Sequence, residues 1–246
     1  MVAMCDIMGF GALIGSHPLS RVVDEFVPRL FSLLENCITQ ETPVAKNPSI
    51  SDLQNLGKIG IAWFSDTILL YGLDDTDESC RRLIETVGWL TARTLFEAPR
   101  TRIRSGISYG EFYEDKERNL FLGKSIVEAN QVEKQQEWVG GALSKSAEER
   151  VRRMHNSDEW LASDWWLTEY SAPAKVSKHP QLLSNLAINW PLALHPHNFD
   201  LDWSDESPEP TEDEWTKQSD VCKKWYNTRL FHRKVCRRCG TWDSSE

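Results

Sequence analysis

The run Lys58-Ile-Gly-Ile-Ala-Trp-Phe-Ser-Asp-Thr-Ile-Leu-Leu-Tyr-Gly72 leaves the chain little choice of local structure. Two stretches rich in aliphatic, β-branched and aromatic residues, 59–64 and 67–72, are separated only by Ser65 and Asp66. So short a connection between such runs makes a tight hairpin, which fixes two adjacent antiparallel strands and puts an acid at the tip. Whatever else the chain does, it builds around a sheet that contains this pair.

The flanking segments fit around that hairpin. Residues 2–8 form a short apolar segment interrupted by one charge, Asp6, and the small-residue turn Gly9-Phe10-Gly11-Ala12 follows. From Leu19 the apolar positions 19, 22, 23, 26, 27, 30, 33 and 34 mark one face of a helix, with Pro18 suited to its first turn. Residues 39–57 are polar, contain Pro43 and Pro48, and read as a loop. After the hairpin, apolar positions 80, 83, 84, 87 and 90 predict a second amphipathic helix over 77–97. Strands are expected at 101–108 and 111–122, joined through Tyr109-Gly110, then a helix from Lys124 to Trp138 and a break at Gly140-Gly141. The order β-α-β-β-α-β-β-α, without a strict βαβ repeat, predicts an α+β fold with a mostly antiparallel sheet flanked by helices.

With 246 residues the chain can bury one substantial core and a small appendage. The core is expected over 1–145, completed over 146–203 by further helix and Trp-rich packing. Residues 204–214 hold six acids, two prolines and no base, which reads as an exposed acidic linker. The remaining 215–246 form a basic C-terminal tail. Within it, Cys222, Trp225, Tyr226 and Leu230 fall at helical spacing and predict a docking or dimer helix. Cys222, His232, Cys236 and Cys239 are four potential zinc ligands; the lone first cysteine favours the alternative of a basic helix with buried thiols. A net charge of −9 argues against a nucleic-acid binder. No apolar run has membrane-spanning length, and no signal peptide is evident, so no membrane insertion and a cytoplasmic location are expected.

The chemistry centres on Asp6 and Asp66. Taken singly, each aspartate is an ordinary turn residue. Together they offer two hard oxygen ligands of the kind that binds Mg²⁺ or Mn²⁺, beside a glycine turn whose amides can cradle phosphate. Such a combination describes a phosphoryl-transfer site.

Four segments then resemble one family in its own order. Cys5-Asp6-Ile7-Met8-Gly9-Phe10 resembles the D-I-x-G-F segment of class III nucleotidyl cyclases, and Phe64-Ser65-Asp66 their second metal aspartate. Arg104-Ser-Gly-Ile-Ser-Tyr-Gly-Glu111 resembles the R-x-G-I-x-x-G-E strand, and Gly123 to Glu133 the G-x-x-V-N-x-A-x-R-L-E helix. The resemblance implies a cyclase homology domain holding two divalent cations, Mn²⁺ or Mg²⁺, through Asp6, Asp66 and the Ile7 carbonyl. It implies substrate contacts from Gly9, Phe10, Gly11, Trp63, Ser65 and Arg104. In that family the site lies between two domains, so one domain per chain implies a homodimer.

The family's transition-state Asn and Arg fall at Val127 and Gln131, so another cation is expected in their place: Arg102, Arg104, Lys124 or Lys134. Arg102 and Lys124 are the catalytic candidates beside the two aspartates. The helix start Gly123-Lys-Ser-Ile-Val-Glu-Ala129, the Trp63-Phe-Ser-Asp66 hairpin and Asn189-Trp190-Pro191 are similar to the pyrimidine cyclases of bacterial Pycsar anti-phage systems. That likeness implies UTP as substrate, with cyclic UMP acting on a separate effector protein in antiviral defence. Ala62 and Leu120 stand where purine cyclases carry polar base-reading residues, which accords with it. The alternatives are CTP with cyclic CMP as product, or a catalytically dead nucleotide sensor on the same fold.

Overall fold

The strand Val2–Met8 (β1) lies in the interior of a seven-stranded sheet and is hydrogen-bonded on both sides. Its neighbours are β3 (Thr67–Gly72) and β4 (Arg102–Ser108), both antiparallel to it. β2 (Ile59–Phe64) closes the hairpin with β3 at one edge. Beyond β4 come β7 (Gly140–Ser144), β9 (Leu183–Ile188) and β8 (Leu167–Glu169), giving the order β2-β3-β1-β4-β7-β9-β8. The β4–β7 pair is parallel and the other neighbours are antiparallel. A separate two-stranded hairpin joins β5 (Tyr113–Asp115) to β6 (Leu120–Leu122). The computed structural model describes residues 1–39, 58–96, 101–155, 166–175, 182–192 and 220–238. The α+β architecture expected from the sequence is present.

Alternation along β1 divides the sheet into two faces. Ala3, Cys5 and Ile7 join the large core with Leu30, Leu34, Leu83, Ile84, Val87 and Leu90. Those helical residues belong to α3 (Val27–Thr39) and α4 (Asp77–Phe96). Val2 lies on the opposite face with Ala62, Leu69, Tyr71 and Ala129, the last from α5 (Lys124–Gln135). Gly106 of β4 lets α5 lie directly on the sheet, because a Cβ there would run into the Ala129 carbonyl and the Glu133 amide.

The described helices depart from expectation in instructive places. The turn at Gly9 does not run on to Ala12: Gly9 sits at φ 81 and opens straight into α1, Phe10–Ser16. The next helix starts at Leu19 as expected but in three joined pieces, α2 (Leu19–Arg21), a π-helical stretch Val22–Phe26, and α3. Residues 111–122 are not one strand. Residues 116–119 form the turn of the β5–β6 hairpin, with Asn119 at φ 51 and the Arg118 amide bonded to the Asp115 carboxylate at 3.0 Å.

Gly140-Gly141 is not a break but the start of β7, where small residues suit close packing: a Cβ at Gly141 would press on Ile188 at 2.7 Å. Among the described residues of 145–200 there is one α-helix, α6 (Lys145–Arg152), followed by strands β8 and β9 where more helix was expected. The C-terminal helix α7 (Asp220–Arg238) is present, but a different face docks. Thr228, Phe231, His232 and Val235 are buried while Cys222 is exposed. The loop was expected at 39–57; Thr39 instead ends α3, and 40–57 lie outside the described residues, as does the acidic linker at 204–214. No described helix is long and apolar enough to cross a membrane.

Candidate active site

Sheet register brings the two aspartates together. Asp6 pairs with Thr67 across β1–β3, so Asp66, the residue before Thr67, stands at the same end of the sheet. The Ile7 amide donates to the Asp66 carbonyl at 2.7 Å. In an antiparallel strand a residue's N–H and C=O point to the same side, so the Ile7 carbonyl also faces the hairpin tip. Ser65, at φ 57, takes the left-handed conformation that turns the chain there.

Asp6 is only 26% exposed. Burial holds its carboxyl above the ordinary aspartate range; the Arg104 charge opposes that shift, and the negative charge of Asp66 adds to it. A half-buried carboxylate beside a second negative charge suits a cation between them. Their oxygens and the Ile7 carbonyl suit a hard divalent ion such as Mg²⁺ or Mn²⁺. Among the described residues no cluster of three or more His, Cys, Asp or Glu side chains is placed to hold a metal, so the fit rests on these three groups.

Arg104 faces Asp6 across the β1–β4 register. It is buried, and its Nε donates to Glu133 Oε1 at 2.6 Å, its Nη1 to the Gln136 carbonyl at 3.2 Å and its Nη2 to Asp6 Oδ2 at 3.4 Å. Nη2 also pairs with Glu133. Burial raises the Glu133 carboxyl, and Arg104 offsets this. Turning Arg104 towards a substrate would leave Glu133 buried without its counter-ion, which is costly. Arg104 therefore serves here to anchor the Asp6 side chain to the sheet and to α5.

The other named residues spread around this centre. Arg102 pairs with Met8 in register, and its guanidinium lies 4.5 Å from the Trp225 ring centre. Lys124 is 91% exposed, 4.0 Å from Glu111. It stands nine residues before Glu133 on α5, roughly 13 Å along the axis, so one chain does not bring it to Asp6. Val127 is 57% exposed, and Gln131 is exposed as well. Gly9 and Gly11 front open space, since a Cβ at either would meet nothing within 4 Å. Phe10 packs on Phe26 at 5.9 Å and ties α1 to the π-helical stretch.

Alternation along β2 separates the two aromatics of the hairpin. Trp63 packs towards the α3–α4 core and its Nε1 donates to the Ser65 carbonyl at 2.8 Å, so it lies on the face opposite Asp6. Phe64, paired with Thr67, lies on the Asp6 face, is 41% exposed and sits 6.3 Å from Phe121. Ala62 shares that face. Leu120 is exposed on the β5–β6 hairpin.

The sequence predicted a docking or dimer helix here, but not that α7 would lie beside the site. Asn227 Nδ2 donates to the Glu137 carbonyl at 2.7 Å, and the Val139 amide to Thr228 Oγ1 at 2.8 Å. Phe231 lies 4.7 Å from both the Trp138 and Tyr170 rings. His232 stacks on Trp190 at 5.7 Å, away from the exposed Cys222. Burial of His232 against an indole does not fit a shared zinc site with that cysteine. Cys239 and the Cys236 side chain lie outside the described residues. The signal that was available was Trp225, an aromatic among cations on a helix too polar to be core.

No protein-family model matches the sequence, and no curated protein matches it. Among solved structures, the chain is similar to a bacterial light-regulated adenylyl cyclase, at 16% identity with a TM-score of 0.43 over 77% of this chain. It spans 51% of that protein's length, about half. It is also similar to the guanylate cyclase domain of RhGC from Catenaria anguillulae in complex with GTP, at 10% identity and TM-score 0.39, covering 62% of this chain and 81% of that one. A third is the dimeric guanylyl cyclase domain of the RhoGC fusion protein from Blastocladiella emersonii, at 12% identity and TM-score 0.35, covering 61% and 82%.

Proposed function

We propose that this chain is a metal-dependent nucleotide cyclase that closes a pyrimidine nucleoside triphosphate into its 3′,5′-cyclic monophosphate. The observation that carries the reading is the placement of Asp6 and Asp66 side by side at one end of the sheet, with the Ile7 carbonyl aimed at the same point. When bound there, two divalent ions would supply positive charge to the triphosphate and acidify the ribose hydroxyl. The rest falls to the chain. Asp6 and Asp66 fix the position of the phosphates, and Arg104 keeps Asp6 from turning away. The 3′-oxygen forms a bond to the α-phosphorus while the bond to the α–β bridging oxygen breaks. Pyrophosphate leaves with that electron pair, and the hydroxyl proton passes to solvent. Because attacker and target belong to one molecule, positioning supplies several kcal/mol of the barrier reduction.

The pyrimidine half of the proposal rests on the Asp6 face of the hairpin. Ala62, Phe64 and Phe121 offer it apolar surface and no hydrogen-bonding group to read a purine edge. UTP, with cyclic UMP passed to a separate effector in anti-phage defence, accords with the resemblance drawn from the sequence; CTP is the alternative. The exposed side of α5, with Lys124, Val127 and Gln131, suits contact with a second copy of the chain in a homodimer.

A second reading, a nucleotide sensor without turnover, is favoured by one observation: Arg104 is locked to Glu133 rather than presented to a ligand. A single assay separates the two. The full chain is incubated with Mn²⁺ and equal concentrations of ATP, GTP, CTP and UTP, and cyclic products are resolved by mass. Cyclic UMP or cyclic CMP in excess supports the proposal. Cyclic AMP or cyclic GMP in excess ends the pyrimidine claim, and no cyclic product at all ends the cyclase claim.

A further inference from the structure

Two arginines leave β4 on the face that carries Asp6, and they are held in opposite ways. Arg104 spends its donors inside the protein, on Glu133, the Gln136 carbonyl and Asp6. Arg102, two residues earlier, lies with its guanidinium carbon 4.5 Å from the centre of the Trp225 ring, and no carboxylate among the described residues pairs with it. We propose that Arg102 is the cation that meets the departing pyrophosphate, and that Trp225 of α7 is the positioning residue that holds it there. This inference rests on the cyclase reading above and gives that site the charge its aspartates lack.

Sheet register places Arg102. It pairs with Met8, the last residue of β1, and directly opposed residues share a face, so its side chain leaves on the Asp6 side. Met8 is two residues beyond Asp6, roughly 7 Å along the strand. The Ser65-Asp66 tip continues β3 on the far side of β1, two strand spacings or roughly 10 Å from β4. The metal ligands thus occupy β1 and the hairpin tip, and Arg102 stands across from the tip. The space beside it is open, since a Cβ at Gly9, the residue after Met8, would meet nothing within 4 Å. With the α-phosphorus beside the aspartates, a cation so displaced meets the phosphates that leave.

An arginine resting on an indole is held by the face of its plane. Its N–H donors lie in that plane and point out from the edges, so the contact fixes the fork without consuming it. Phosphate oxygens are what such a fork binds two at a time. The anchors of α7 lie three and six residues on: Thr228 Oγ1 accepts from the Val139 amide at 2.8 Å, and Phe231 packs on Trp138 and Tyr170. Positions three apart share a helix face, so the turn that carries Trp225 is held against the sheet. During transfer the 3′-oxygen bonds to the α-phosphorus, the bond to the bridging oxygen breaks, and pyrophosphate departs with that electron pair. The hydroxyl proton passes to solvent, and the guanidinium keeps its own protons while donating to the leaving oxygens. Removing one such preorganised donor typically lowers kcat by 10²–10³.

The test uses the full chain with Mn²⁺ and the preferred triphosphate. Turnover is measured for Arg102→Gln, Arg102→Lys, Trp225→Leu, Trp225→Phe and the pair Arg102→Gln with Trp225→Leu. Tyr226→Leu, which removes the neighbouring aromatic of α7, is the control. Affinity for pyrophosphate in the presence of Mn²⁺ is measured by calorimetry, a readout that needs no turnover. Arg102→Gln is expected to lose about 100-fold in kcat and to bind pyrophosphate about tenfold more weakly. Arg102→Lys, which keeps the charge but not the fork, is expected between that variant and wild type in both. Trp225→Leu is expected to lower kcat about tenfold alone and not at all in the Arg102→Gln background, because it acts through the arginine. Trp225→Phe keeps a ring face and is expected to restore most of that loss, and Tyr226→Leu to leave turnover unchanged. Additive losses in the pair, or equal losses in Trp225→Leu and Tyr226→Leu, overturn the positioning role. If Arg102→Gln melts early, Arg102→Lys decides: wild-type kcat and pyrophosphate affinity in it overturn the role of the fork. Turnover and pyrophosphate affinity that survive Arg102→Gln remove this inference and leave the cyclase reading standing. A wild-type chain that cyclises none of the four triphosphates removes both.

Discussion

Glu133 reaches across from α5 to hold Arg104 of β4, Nε to Oε1 at 2.6 Å, and so fixes the guanidinium that lies against Asp6. Deleting one partner of such a buried pair leaves the other charge without compensation. Glu133→Ala is expected to destabilise the protein by about 3–5 kcal/mol, read as a lower urea midpoint at unchanged slope. Activity should fall as well, because Arg104 would turn fully onto Asp6 and compete with the metal. A loss under about 1 kcal/mol would show that the pair is not structural.

Asp6→Asn and Asp66→Asn each remove a charged metal ligand and are expected to abolish turnover. A second readout needs no substrate. Mn²⁺ at about 100 times its Kd stabilises a protein that binds it only when folded by about 2.7 kcal/mol, a rise in Tm that either substitution should erase. A full Mn²⁺ shift in Asp6→Asn would place the metal elsewhere.

Both aspartates of a site come from one chain, because the β1–β3 register joins them. In a homodimer, mixing Asp6→Asn chains with wild type should therefore leave mixed dimers with about half their sites active. Activity per chain should also decline on dilution. Full activity in a species that light scattering identifies as a monomer would contradict the proposed assembly.

Phe64 narrows the Asp6 face of the hairpin. Phe64→Ala is expected to raise turnover of GTP and ATP relative to UTP by about tenfold, about 1.4 kcal/mol of discrimination. If the ratio is unmoved while overall activity is retained, the phenylalanine is ordinary core.

Asp77 opens α4 and accepts a hydrogen bond from the His155 amide, with Arg150 beside it; together these hold its carboxyl below the ordinary aspartate value. A depressed folded pKa contributes stability above the unfolded pKa of about 3.9, and loses it as pH falls through the folded value. Asp77→Ala is expected to lower Tm by about 2 °C at pH 7, an exposed pair being worth under about 1 kcal/mol. The difference should begin to shrink below about pH 4 and vanish once the pH is under the folded value; a gap that does not shrink on acidification would point to a cause other than ionisation.

What the sequence made legible is what local periodicity encodes. β1, the β2–β3 hairpin and α4 fall within a residue or two of their expected bounds, because their apolar residues alternate or recur at helical spacing. Asp6 and Asp66 were readable for the same reason: each interrupts an otherwise apolar strand or turn. The segment after Gln135 was not, because its conformation is set from a distance. Gln136 Nε2 donates to the Ser105 carbonyl at 2.8 Å, and its Oε1 accepts from Trp138 Nε1 at 2.7 Å, contacts no local pattern announces. The role of Arg104 was hidden likewise, since its partner Glu133 lies on another element. The α7 face was misread because polar Asn227 and Thr228, rather than Cys222 and Leu230, make the docking contacts.

The central place of β1 has a consequence for how the site comes into being. Val2 pairs with Tyr71 on one side and Ser108 on the other, so the strand that carries Asp6 makes no ladder with its sequence neighbours. Closing such distant pairings costs chain entropy before any contact is gained, and topologies of this kind fold slowly. The strand is thus fully seated only after both flanking strands exist. The aspartate pair itself needs the β1–β3 ladder, so any metal held there would wait on that distant pairing rather than guide it.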